Sequence, residues 1–229
     1  MNYLITGANR GIGLEFVKQL TSRGETVLAT CRSPKQAEEL NTLANTHKDL
    51  LTIIKLDVAD TESIDNLLSY VKKEDLTFDV LINNAGINPQ AGQLGELDYD
   101  VFLKGFEVNS IAPLRLAEAL LPRLTGAKKI INLTSKMGSV EDNTSGGAYA
   151  YRMSKAALNI GFKSFAIDTK SKGVTSLVMH PGWVMTDMGG PNALITVEQS
   201  VSGLLNTIDN ATLEQSGNFY GWEGNIIPW

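Results

Sequence analysis

Six short, apolar, β-rich runs constrain this protein more than any other feature: YLIT (3–6), TVLATC (26–31), LTIIKL (51–56), DVLIN (79–83), KIINLTS (129–135) and TSLVMH (175–180). They are nearly continuous in apolar residues rather than alternating, as strands covered on both faces are. Helical patterns fall between them at about 12–33, 36–46, 61–73, 98–124 and 150–171. The first must stop near Gly24, because the next strand follows at once. Such strand–helix alternation requires crossover connections and predicts an α/β fold, a doubly wound parallel sheet with helices on both faces. A sequence of 229 residues, 43% hydrophobic, can fill one core. No repeat, linker or composition break divides it, so residues 1–229 are read as a single domain.

The charge balance, 20 Lys+Arg against 25 Asp+Glu, is mildly acidic and without a dense basic cluster, so no nucleic-acid partner is expected. Cys31 is the one cysteine, which rules out an internal disulfide and makes a reducing cytoplasm the expected location. MNYLITG reads as a strand rather than a signal peptide, and no apolar run reaches the roughly 18 residues of a membrane span, so no membrane association is expected. His47 and His180 fall in unrelated elements, which argues against a metal site.

ITGANRGIGLEF places Gly7, Gly11 and Gly13 between a strand end and a helix start. A turn at that place presents backbone N–H groups and the positive end of a helix dipole to a phosphate. The spacing is GxxxGxG, and its context points to nucleotide binding. The second strand ends in Cys31-Arg32, where an NAD site usually carries an acid for the ribose 2′-OH. Arg32 and Arg10 instead suit a 2′-phosphate, so NADP(H) is expected over NAD(H). Cys31 reads as a small buried filler.

AYAYRMSKAALN (148–159) carries two tyrosines near one lysine. Helical residues four apart lie about 40° apart, so Tyr151 and Lys155 share a face, whereas Tyr149 is about 120° away. Tyr149 follows Gly146-Gly147 and is not required to be helical. Lys155 is therefore expected to serve Tyr151, drawing its phenol down from about 10 toward a value useful for proton exchange. Ser135 ends the fifth strand, where ligands of such sheets bind. Asn83 and Asn84 sit in LINNAG beside the cofactor loop, and Asn109 falls inside the helix at 98–124, where asparagine is mildly unfavourable and its amide suits a water that passes a proton to Lys155.

Taken together, TGANRGIG (6–13), LDV (56–58), NNAG (83–86), Asn109 of VNS, Ser135, YRMSK (151–155) and HPGWVMT (180–186) resemble the compact short-chain dehydrogenase/reductase family, in its order and over nearly the whole sequence. TSKMGSVEDNTSGGAYAYRMSKAALN and the closing IIPW are similar to the C-factor and sniffer-type carbonyl reductases within it. The resemblance implies a Rossmann-type sheet of about seven strands and a homodimer or homotetramer. It implies that Ser135 positions the substrate oxygen, Tyr151 is the general acid or base, Lys155 binds the nicotinamide ribose and Asn109 completes a proton relay. It further implies cofactor contacts from Gly7, Asn9, Arg10, Gly11, Ile12, Gly13, Asp57, Val58, Asn83, Ala85, Gly86, Pro181, Gly182, Val184 and Thr186.

Ser135 precedes Tyr151 by more residues than is usual in the family, which leaves Ser139 as a rival and EDNTSGG as a longer loop beside the site. Residues 185–197 lack a period and carry Gly189, Gly190 and Pro191, as mobile substrate loops do. Trp183, Met185, Met188 and Leu194 there suit a hydrophobic carbonyl substrate. The expected activity is carbonyl reduction with NADPH; the alternative is an NAD(P)-binding signalling protein with little turnover.

Overall fold

A computed structural model describes residues 1–229 throughout. Strands β1 (Asn2–Ile5), β2 (Thr26–Cys31), β3 (Leu51–Lys55), β4 (Phe78–Asn83), β5 (Leu124–Leu133), β6 (Thr175–His180) and β7 (Phe219–Gly221) form one sheet in the order β3-β2-β1-β4-β5-β6-β7. Every strand pairing is parallel; Tyr3 sits beside Val27 and Val80, and Ile131 beside Ile82 and Leu177. From β1 the sheet builds outward to β3, then resumes at β4 and builds to β7. The β1/β4 boundary is therefore the switch point, where a crevice opens at the carboxyl ends of the strands.

Helices α1 (Gly11–Ser22), α2 (Glu38–Thr46) and α7 (Val197–Asn210) cover one face. Helices α3 (Thr61–Lys73), α5 (Ala112–Leu120) and α6 (Tyr149–Thr169) cover the other, and α4 (Tyr99–Phe106) leads into α5. Side chains alternate between the two cores. Tyr3, Ile5, Val27, Ala29, Val80 and Ile82 pack with Phe16 and Leu20 of α1 and Leu204 of α7. Leu4, Leu28, Leu81 and Val178 pack with Leu67 of α3, Leu116 of α5 and Phe162 of α6. Both faces need apolar residues, which is why the strands read as continuous apolar runs. Each fully buried Leu, Ile or Phe contributes about 1.5–3 kcal/mol.

The structure corrects several boundaries. The first helix ends at Ser22, and Gly24 turns the backbone with φ +75°. The helix expected over 98–124 is three pieces: α4, a π-helical turn at Glu107–Ile111, and α5. Pro113 is the cause: it has no N–H to give the Asn109 carbonyl in an unbroken α-helix. Ala112 N instead reaches back five residues to Glu107 O. The fifth strand starts earlier than expected, at Leu124, with a register shift against Phe78 and Val80, and it ends at Leu133. Tyr149 is helical after all, as the first residue of α6, entered through Ala148 at φ +45°. No helix is long and apolar enough to cross a membrane.

Candidate active site

A cavity of about 700 Å³ opens over the carboxyl ends of β1, β2, β4 and β5, between the glycine turn and the start of α6. Its floor begins with the turn from β1 to α1. Gly13 is required there, because a Cβ would run into the Gly7 carbonyl and lie 2.5 Å from the Asn84 amide nitrogen. The turn is therefore pinched close enough for backbone N–H groups to meet a ligand. Helix α1 starts beside the cavity with no side-chain cap and no acid in its first turn, which leaves its positive end for an anion. Asn84 fixes the turn from β4: its Nδ2 donates to Thr6 O at 2.8 Å and Gly7 O at 2.9 Å. The pinched backbone, the uncapped helix end and the cavity's volume fit a dinucleotide.

The cavity wall contains Gly7, Asn9, Arg10, Gly11, Ile12, Gly13, Arg32, Asp57, Val58, Ala85, Gly86, Pro181 and Thr186, together with Tyr151 and Lys155. Cys31 also lines it, and burial pushes its thiol up, as befits a filler. Arg32 is exposed at the rim. Arg10 is exposed too, and its Nη1 lies 2.7 Å from Asp187 Oδ2, so the glycine turn is tied to the loop after β6.

Asn83, Gly182 and Val184 are not on the wall. Asn83 points into the sheet and donates to Asn132 Oδ1 at 2.8 Å. Strand alternation thus puts Asn84, not Asn83, at the crevice. Gly182 packs against Ile195 and Trp222, and Val184 pairs with Ile195 in a short bridge, so both support the loop from behind. Of the apolar loop residues, Met185 and Met188 line the cavity while Trp183 and Leu194 face outward. Lys104, Leu133 and Thr134 also reach the wall; none was expected at the site, although Leu133 and Thr134 lie in the quoted run KIINLTS.

The groups expected to react meet at the other end. Lys155 is buried, its Nζ donates to Leu133 O at 2.9 Å, and it lies 5.9 Å from the centre of the Tyr151 ring. Tyr149 packs instead with Ala91, Phe102 and Ala150, so Lys155 faces Tyr151 alone of the two. Burial lowers Lys155 to about 8. Burial also raises the Tyr151 phenol, against the opposing hydrogen bond of Ser135. The expectation that Lys155 draws the phenol down is therefore corrected. Desolvation is the larger effect on the phenol.

Ser135 is buried two residues beyond β5. It caps a 3₁₀ turn at Lys136–Gly138, its Oγ accepting from Met137 N at 3.1 Å. Ser139 Oγ likewise accepts from a backbone donor, Asp142 N at 3.1 Å, but the hydrogen bond that opposes the rise of the Tyr151 phenol is that of Ser135. Asn109 lies in the π-turn: Oδ1 accepts from Ile87 N, and Nδ2 donates to Ile87 O and Ser154 Oγ, all within 2.8–2.9 Å. Its side chain braces the β4 loop against α6, with both amide protons used and one lone pair of Oδ1 left beside Gly86. Ser135 lies beside Tyr151 at the cavity's edge, and Asn109 stands next to Gly86 of the wall.

The short chain dehydrogenase family model matches residues 2–194. This protein belongs to the short-chain dehydrogenase family. Among its family relatives, the C-signal protein of Myxococcus xanthus is 47% identical over 153 residues, 66% of this chain and 92% of that protein. NADPH-bound carbonyl reductase from chicken fatty liver superposes with a TM-score of 0.93 at 38% identity, covering 100% of this protein and 98% of that one. Carbonyl reductase Sniffer of D. melanogaster superposes with a TM-score of 0.94 at 35% identity, covering 100% and 99%. The seven-stranded parallel sheet is thus the fold of this dehydrogenase family's carbonyl reductases.

Proposed function

We propose that this short-chain dehydrogenase is an NADPH-dependent reductase of ketones or aldehydes acting in the cytoplasm. The observation that carries the reading is that Tyr151 and Lys155 share one cavity with the pinched glycine turn. A bound nicotinamide supplies the hydride. Tyr151, kept protonated at neutral pH by burial, donates its proton to the carbonyl oxygen as that oxygen gains charge. Ser135 hydrogen-bonds the same oxygen from beside Tyr151. Lys155 reaches the cavity next to Gly86, where a Cβ would lie 3.5 Å from Nζ, and it can bond a ribose there. Arg32 and Arg10 at the other end favour a 2′-phosphate. Met185 and Met188 favour a hydrophobic carbonyl compound.

The reading is tested with NADPH deuterated at both C4 positions and 1-phenyl-1,2-propanedione as probe. Deuterium on the carbinol carbon of the product is the expected outcome, and NADPH consumption without it would contradict the reading.

The 47% identity with C-signal favours a second reading, a cofactor-binding regulator. The complete Ser135, Tyr151 and Lys155 set weighs against it. The expected homo-oligomer is supported by Met153, Ile160 and Ile167, exposed on α6 at seven-residue spacing, which suits the same stripe of a second copy. Sedimentation of Ile160→Glu beside the unaltered protein tests it; an unchanged mass would contradict it.

A further inference from the structure

The turn that carries Ser135 is fastened to α6 by side chains that have no part in the reaction. The last carbonyls of a short 3₁₀ turn lack partners inside it. Here Arg152 Nη1 donates to Met137 O at 3.2 Å, and Asn159 Nδ2 donates to Gly138 O at 3.2 Å. Asn159 is buried and its own Oδ1 accepts from Thr134 Oγ1 at 2.7 Å, which fixes the direction of its amide. Gly138 lies flat on the helix between them: a Cβ there would meet Lys155 Cβ and Lys155 main-chain carbon at 2.9 Å. The remaining Arg152 donors reach Ser145 Oγ at 2.9 Å and Gly146 O at 3.2 Å. One guanidinium therefore ties both ends of the 138–146 loop.

These bonds lead to the hydroxyl. The Met137 peptide is held by Arg152 at its carbonyl and donates its N–H to Ser135 Oγ. That donation uses one lone pair of Oγ and leaves the hydroxyl proton to point toward Tyr151 and the substrate oxygen. If Met137 turns, Ser135 loses its direction although no group that touches substrate has changed. We propose that Arg152 and Asn159 are positioning residues, whose grip on the Met137 and Gly138 carbonyls aims the Ser135 hydroxyl at Tyr151. The inference rests on the reductase reading of Ser135 and Tyr151. A lysine at position 152 keeps the charge but has one ammonium in place of a planar fork, so it holds fewer of the acceptors.

The test uses the intact protein labelled with ¹³Cζ-tyrosine, the Tyr151 signal being assigned by its loss in Tyr151→Phe. Arg152→Met is expected to move that signal at pH 7 in the direction that Ser135→Ala moves it. The Ser135→Ala/Arg152→Met double variant moves no further, and Arg152→Lys restores part of the shift. Asn159→Ser, which withdraws the second donor, moves it the same way. With NADPH and 1-phenyl-1,2-propanedione, Arg152→Met is expected to lower kcat on the order of tenfold while NADPH binding is unchanged. The double variant is no slower than Ser135→Ala.

A Tyr151 signal unmoved by Arg152→Met and Asn159→Ser overturns the proposal, as do losses that add in the double variant. If Arg152→Met does not fold, Arg152→Lys decides by the same signal, which must lie between the unaltered protein and Ser135→Ala. A wild type that reduces no carbonyl contradicts the reductase reading instead, and the tyrosine signal still decides the clamp.

Discussion

Lys155 and Tyr151 lie one turn apart on α6, with the ammonium 5.9 Å from the ring centre and bonded to Leu133 O. Burial acts on both in the same sense, toward neutrality: it lowers the lysine to about 8 and raises the phenol. A protonated phenol at neutral pH is the form that the proposed reduction needs.

The buried lysine has a consequence for stability. In the unfolded state it titrates near 10.5, and in the folded state near about 8. Between those values the unfolded state holds more protons, so stability contributed by Lys155 rises with pH. Relative to Lys155→Met, the wild type should gain up to about 3 kcal/mol from pH 8 to pH 10.5 in urea titrations. A gap that stays constant over this range, or narrows, contradicts the assignment.

His180 works in the opposite pH range. Its Nδ1 is buried without a partner, and burial, aided by Lys136, lowers it to about 4 while Asp142 opposes. As pH falls below 6.5 the unfolded state takes up a proton that the folded state refuses. The wild type should therefore lose about 2 kcal/mol between pH 7 and pH 5 that His180→Leu keeps. Equal acid sensitivity in both proteins would count against this burial.

Cofactor choice should reside in the rim arginines. Arg10→Ala and Arg32→Ala are each expected to weaken NADPH binding on the order of tenfold and leave NADH binding nearly unchanged. Arg10 is also held by Asp187 in an exposed pair. Asp187→Asn should free it and tighten NADPH about two- to fivefold. Fluorescence titration of both nucleotides reads all of this, and parallel changes for NADPH and NADH would refute it.

The glycine turn offers a steric test. In Gly13→Ala the new methyl group meets the Gly7 carbonyl and the Asn84 amide. Overpacking of this kind costs about 1–3 kcal/mol. Thermal unfolding should show that loss together with weakened NADPH binding. An Ala variant with unchanged affinity would mean that the turn does not hold the dinucleotide.

The fold was largely legible because two-sided burial writes itself as apolar runs. The β7 strand, FYG, is too short to stand out, and only the family resemblance implies it. The break at the π-turn was hidden because 98–124 keeps a helical pattern through it, although Pro113 carried the signal. Tyr151, Lys155 and the glycine turn were legible because fixed spacing on one element sets their geometry. Asn83 and Asn109 were not, because their roles depend on partners remote in sequence: Asn132 for one, Ile87 and Ser154 for the other. The clamp from Arg152 and Asn159 lies in the same helix as the reactive pair, yet nothing in the sequence says which carbonyls they reach.

The central claim is that Tyr151, and not its neighbour Tyr149, gives the proton. The most direct measurement is NADPH oxidation by the wild type, Tyr149→Phe and Tyr151→Phe against aromatic and aliphatic ketones, aldehydes and diketones, with NADPH binding measured for each. The account predicts turnover by the first two, and a Tyr151→Phe variant that binds NADPH normally but is slower by a factor on the order of 10²–10⁴. A Tyr151→Phe variant that retains wild-type turnover, or three proteins that bind NADPH and reduce nothing, would contradict it.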